Sequence, residues 1–117
     1  MRLSIRGQAA VLPGPLKSHI ERRVRLALGR FGTALTLVAV RIEDLNGPRG
    51  GNDKLCTIEA RLGGTTPVVV EETASGLRES FDRALERLGR SVERVVQRRL
   101  SARRGLPARA KMVSESA

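Results

Sequence analysis

Five arginines, Arg83, Arg87, Arg90, Arg94 and Arg98, recur at steps of three and four within the segment Gly76 to Arg104. Such spacing places them along one line of a helix. A guanidinium stays charged at every physiological pH and meets an oxyanion through two parallel hydrogen bonds, so a line of them suits phosphate. A second set, Leu77, Phe81, Leu85, Leu88, Val92, Val95 and Val96, recurs at the same steps and is the stripe of a helix resting on a core. At 100° per residue the two lines lie roughly 150° apart. One face therefore packs while the other presents a row of cations.

Charged residues on an outer helix face are also the ordinary solvated case, in which the signs alternate. Here the acids Glu79, Asp82, Glu86 and Glu93 form their own line beside the arginines. Glu79 is placed to brace Arg83 and Glu86 to brace Arg90 at i,i+4, worth about 0.2–0.5 kcal/mol each. Of the 22 basic residues 19 are arginine, and a compositional bias of lysine to arginine accounts for identity without function. The row reads as a nucleic-acid contact, with the solvated face as its plain alternative.

No catalytic set is visible. His19 is the only histidine. It falls off the apolar stripe of its helix and reads as a solvent-exposed side chain. Cys56, the only cysteine, alternates with inward strand residues and reads as a small buried hydrophobe. Glu71 and Glu72 are strand neighbours whose side chains point to opposite faces. No Cys/His cluster has metal-ligand spacing, so neither a metal nor another cofactor is expected. The loop Gly47-Pro-Arg-Gly-Gly-Asn52 runs into a strand rather than a helix. It reads as a hairpin connection and not a P-loop, with Arg49 at its tip as a candidate contact.

The 117 residues carry a net charge of +10 with only two Phe, no Tyr and no Trp. Such a charge favours a polyanion. No segment pairs strong basicity with exposed bulky apolar residues, so an anionic membrane is disfavoured, and no apolar run approaches a membrane span. A single cysteine allows no internal disulfide, which fits a reducing cytoplasm. Leu3 and Ile5 alternate with Arg2, Ser4 and Arg6 as in a strand, which argues against a targeting leader. The lack of aromatics argues against base stacking on a sheet and for recognition of backbone and shape.

The elements that must position these residues follow from periodicity. Residues 2–7 read as a strand. Pro13 and Pro15 announce a helix, in which Leu16, Ile20, Val24, Ala27, Leu28 and Phe31 recur at helical steps until Gly32. Residues 35–43, 54–62 and 68–72 read as three further strands, and Ser75 as the cap of the second helix. The order is β-α-β-β-β-α. The first helix is a right-handed crossover between parallel strands, and the remaining strands form an antiparallel meander. Each helix has one apolar stripe, so both must lie on one face of a four-stranded mixed sheet. This is an α+β fold like a double-stranded RNA-binding domain with a strand added. Residues 1–104 form one domain and residues 105–117, which lose periodicity, are expected to be a flexible tail.

The chain resembles the ribosome hibernation promoting factors, also known as ribosome-associated translation inhibitors. The opening Met1-Arg-Leu-Ser-Ile-Arg-Gly7, the first-helix residues Leu16, Arg23 and Phe31, and the pairs Phe81-Asp82 and Arg87-Leu88 fall where that family has its motifs. Gly76, Arg78 and Ser91 depart from it, at positions where the family often has an aspartate, an aromatic and a glutamine. Long members carry an extra C-terminal domain that pairs ribosomes, and the resemblance here is to the short form. It implies a monomeric cytoplasmic stress factor that binds rRNA of the small ribosomal subunit in the mRNA and tRNA channel and blocks initiation by occupancy. No catalysis and no small-molecule substrate are implied. Arg23 gains support from the family pattern as a second basic contact, whereas Arg22 and Arg25 read equally as contacts or as solvated residues. The alternative function is a general basic nucleic-acid-binding module using the same face.

Overall fold

The structure is a computed structural model that describes residues 1–7, 12–45, 54–64 and 66–103. Strand β1 (Arg2–Gly7) leads to helix α1 (Gly14–Leu28) and a 3₁₀ turn (Gly29–Ala34). Strands β2 (Leu35–Asp44), β3 (Lys54–Leu62) and β4 (Val68–Ala74) follow, and helix α2 (Leu77–Arg103) completes the order. The sheet runs β1-β2-β3-β4, with β1 parallel to β2 and the other pairs antiparallel. The α+β fold with a four-stranded mixed sheet and two helices is the one the periodicity predicts. The segment 105–117, expected to be a tail, and the loop carrying Arg49 lie outside the described residues.

Both helices lie on one sheet face. Leu16, Ile20, Val24 and Leu28 of α1 share one buried cluster with Val38, Val40 and Ile42 of β2, Cys56, Ile58 and Ala60 of β3, and Phe81, Leu85, Leu88 and Val92 of α2. Helix α2 lies over β3 and β4. The register aligns Leu3 with Val38 and Ile5 with Val40, which brings the inward residues of β1 and β2 together. A bulge at Thr36 shifts the pairing between Leu35 and Leu37, so that Leu35 joins the core although it is out of step with Val38. The Thr36 hydroxyl donates to the Arg61 carbonyl at 3.1 Å beside it.

Strand β2 runs one residue past the expected 43, to Asp44, and three other boundaries differ from the sequence reading. Helix α1 ends at Leu28, and Phe31 sits in the 3₁₀ turn that follows; Gly32 turns the chain with φ of 56° and ψ of −131°, a conformation that a side chain makes costly. Strand β4 continues two residues past Glu72, because Leu55 and Lys54 of β3 offer pairing partners to Thr73 and Ala74. At the start of α2 it is the Gly76 carbonyl that accepts the Ser80 N–H at 3.0 Å. Gly76, not Ser75, thus holds the cap position. Ser80 is fully buried and returns its hydroxyl to the Leu77 carbonyl at 2.9 Å, which satisfies it.

Candidate nucleic-acid interface

The charge of the folded domain is segregated by layer. Lys17, Arg22, Arg23, Arg25 and Arg30 against Glu21 give residues 14–34 a net +4. Eight arginines against Glu79, Asp82, Glu86 and Glu93 give residues 77–103 another +4. Residues 1–13 and 35–76 sum to zero. The helical segments therefore present all the excess positive charge of this domain, while the four strands carry as many acids as bases.

Each acid of α2 has a basic partner. Arg83 donates to Glu79 at 2.7 Å and Arg90 to Glu86 at 2.9 Å, the two i,i+4 braces that the spacing predicts. The other two acids reach back to the first helical segment. Arg30 lies 3.6 Å from Glu93, and its guanidinium stands 4.6 Å from the centre of the Phe31 ring. His19 Nε2 lies 3.2 Å from Asp82 Oδ1. The acid line thus faces α1, and the arginine row lies beyond it. All four pairs are exposed on at least one side, so they fix side-chain directions more than they add stability.

His19 corrects the sequence reading. Its side chain is only 12% exposed, and its ring meets that of Phe81 edge to face at 5.8 Å. The lateral packing of α1 against α2 covers a residue that lies off the stripe of α1 itself. It ties the two helices together and has no nucleophile beside it.

The arginine row divides in three dimensions. Arg83, Arg90 and Arg94 are exposed on the outer side of α2, with Arg94 donating to the Ser91 hydroxyl at 3.2 Å. Arg87 instead turns to the sheet. It pairs with Glu72 and donates to the Glu71 carbonyl at 3.0 Å, capping the edge strand β4. Arg98 is half-buried, lies within roughly 20° of Arg87 around the helix, and has a partner of its own. On α1, Arg22, Arg23 and Arg25 are exposed and pair with no acid among the described residues. Arg23 lines the groove between the helices, on whose opposite wall Arg83 stands.

Cys56 is fully buried, and burial pushes its pKa up to about 12, so it is a neutral thiol and no nucleophile. No group of His, Cys, Asp and Glu among the described residues could hold a metal ion. Nor is any described helix long and apolar enough to cross a membrane.

Residues 3–100 match the family model described as sigma 54 modulation protein / S30EA ribosomal protein. The chain belongs to this family. The resemblance to the ribosome hibernation promoting factors leads to the same place. Among solved structures, the fold is similar to the N-terminal domain of Protein Y from Thermus thermophilus, with a TM-score of 0.63 and 23% identity over 81% of this chain and 99% of that one. It is also similar to a ribosomal subunit interface protein from Coxiella burnetii, with a TM-score of 0.64 and 13% identity over 83% of this chain and 99% of that one. No curated protein sequence gives a significant match. The family is one of ribosome-associated modulation factors and not a family of enzymes.

Within this family fold, sequence reasoning missed Arg30 and Arg78. Arg30 lies past the end of α1, and its pairing with Glu93 needs the turn in between. Arg78 sits in the first turn of α2, next to the apolar stripe rather than on the arginine row. It lines the same groove as Arg23, as does Gly76, so two of the three positions that depart from the family pattern meet there.

Proposed function

We propose that this protein binds the small ribosomal subunit through its helical layer, seats in the channel used by mRNA and tRNA, and blocks initiation by occupying it. The observation that carries the reading is the segregation of charge. Both helical segments are net positive, the acids of α2 each have a partner within the protein, and the strands and their connections contribute nothing. Folded RNA, with closely spaced phosphates, is the polyanion that a rigid two-helix surface fits. The uncharged balance of the sheet and its lack of aromatics leave the helices as the contact. The Coxiella protein is named for the subunit interface, and the family fold supports carrying that location over.

On this reading the protein acts in the cytoplasm as a monomer and without turnover. Arg83, Arg90 and Arg94 contact phosphates on one side, and Arg23, with Arg22 and Arg25, on the other. Arg87 holds the helix to the sheet, and the half-buried Arg98 lies on the same side of the helix. Co-sedimentation with purified small subunits, with and without initiator tRNA, tests it. The protein should pellet with small subunits and be displaced by excess tRNA. In cell-free translation, inhibition should reach its end point at about one protein per ribosome and reverse when the protein is removed. Equal retention on duplex DNA and on ribosomes, unaffected by tRNA, would replace this reading with a general nucleic-acid-binding module.

A further inference from the structure

The groove between α1 and α2 has two features that the packing of the domain does not require. Its volume is ≈ 950 Å³, within the range of small-ligand sites at roughly 300–1,000 Å³. The first feature is Gly89, which lines it. A glycine inside a long helix costs about 1 kcal/mol relative to alanine. Close packing is the usual reason for that cost, but a Cβ at Gly89 would meet nothing within 4 Å. What lies there is the groove. The second is Arg78, in the first turn of α2, where the helix dipole disfavours a cation. Its i,i+4 neighbour Asp82 is paired with His19, and the adjacent Glu79 with Arg83. Arg78 and Arg23 thus rim the groove with no acid partner among the described residues.

The apolar part of the lining is formed by Ala27, Leu77, Leu85 and the bare backbone of Gly89. The same wall carries Glu79, Asp82 and Glu86. Each makes one bond inside the protein, at 2.7 Å, 3.2 Å and 2.9 Å respectively. A carboxylate has about four acceptor sites, so each keeps spare capacity for an N–H donor. An occupant must therefore combine an anionic group, a flat apolar body and amino donors. We propose that the groove is a nucleotide site, with Arg23 and Arg78 taking the phosphate, the base lying on the apolar part of the lining, and the carboxylates accepting from its amino groups. A simple carboxylate meets only the first demand, and a fatty acid adds an apolar chain but no amino donors.

The nucleotide has two sources, an unpaired residue of the bound RNA or a free mononucleotide. The first rests on the function proposed above and the second does not. Isotope-labelled full-length protein should be titrated at low salt with adenosine 5′-monophosphate, adenosine and inorganic phosphate. In parallel, ribosome co-sedimentation should be measured for G89L and R78Q, with R6Q on the sheet face as control and thermal melts to confirm folding. The open space at Gly89 lets a leucine fill the groove without disturbing the core.

Saturable amide shifts confined to Ala27, Arg78, Leu85 and Gly89 with the monophosphate, larger than with adenosine or phosphate and abolished in G89L, would establish a free-nucleotide site. No such response, combined with roughly ten-fold weaker ribosome binding by both G89L and R78Q but not R6Q, would assign the groove to a nucleotide of the RNA. Shifts spread over both helices without saturation, together with unchanged ribosome binding in the folded variants, would overturn the proposal and leave the function intact. Failure of the wild type to bind ribosomes would remove the function, and the titration alone would then decide the groove.

Discussion

Replacing Arg83, Arg90 and Arg94 together with glutamine separates the outward part of the arginine row from the part committed to the sheet. The stability cost follows from the bonds that these side chains make. Two exposed i,i+4 ion pairs are removed, at 2.7 Å and 2.9 Å, each worth about 0.2–0.5 kcal/mol. The Arg94 bond to Ser91 is solvent-exposed and adds little. The total is below about 1 kcal/mol, a melting shift of no more than roughly 4 °C for a domain of this size. The binding cost is larger. Each phosphate no longer neutralised by an arginine reduces the slope of log affinity against log salt by about 0.7–0.9, so three reduce it by about 2–3 units from an expected wild-type slope of roughly −4 to −5. Co-sedimentation with small subunits over a salt series at fixed magnesium measures that slope directly. Arg87→Gln is the internal control. It breaks a half-exposed ion pair and uncaps the Glu71 carbonyl, so stability should fall by about 1 kcal/mol while the salt slope stays as in the wild type. An unchanged slope in the folded triple variant, or a slope change in Arg87→Gln equal to that of one outward arginine, would refute the division of the row.

Other outcomes follow from single positions. The glycines should respond with opposite signs: Gly32→Ala should destabilise by about 1–3 kcal/mol because its φ of 56° and ψ of −131° exclude a side chain, whereas Gly89→Ala should stabilise by up to about 1 kcal/mol. Denaturant titration of both decides it. His19→Ala should cost about 1–2 kcal/mol by removing the Asp82 bond and the Phe81 ring contact, yet leave ribosome inhibition at saturating protein unchanged, since no proton transfer passes through that ring. Cys56 should resist thiol reagents at pH 8 in the native state and react fully on unfolding. The sign of its linkage is fixed by the raised pKa of about 12 against an ordinary value of 9.0. Below pH 9 both states hold the proton, and above it the unfolded chain loses its proton first, so the Cys56 contribution to stability should fall between about pH 9 and 12.

Much of this protein was legible in the linear order of its residues. The alternation of Cys56, Ile58, Ala60 and Leu62 marked β3 to its ends, and the three-and-four spacing of the valines and leucines marked the packed face of α2. The braces Glu79–Arg83 and Glu86–Arg90 followed as well. All are consequences of periods of 2 and 3.6, which act within a few residues and need no knowledge of the rest of the chain. Where local signals competed, the boundaries moved: a glycine took the cap from Ser75, and pairing to Lys54 and Leu55 carried β4 beyond Glu72.

Which charges remain available was settled only when the elements packed. Arg87 and Arg90 look equivalent along the helix, yet Arg87 is claimed by Glu72 and the Glu71 carbonyl because α2 lies over β3 and β4. His19 becomes largely covered because α1 is packed beside α2, and Arg30 meets Glu93 because Gly32 and the 3₁₀ turn end α1 where they do. The groove with Arg23, Arg78 and Gly89 exists only between two helices set side by side. Partners separated by 15 to 63 residues are chosen by how rigid elements dock, and docking is driven by burial of the whole core rather than by any local pattern. Residue order thus set the elements and their faces, and the docking of those elements set which arginines pair within their own helix and which reach across to the sheet.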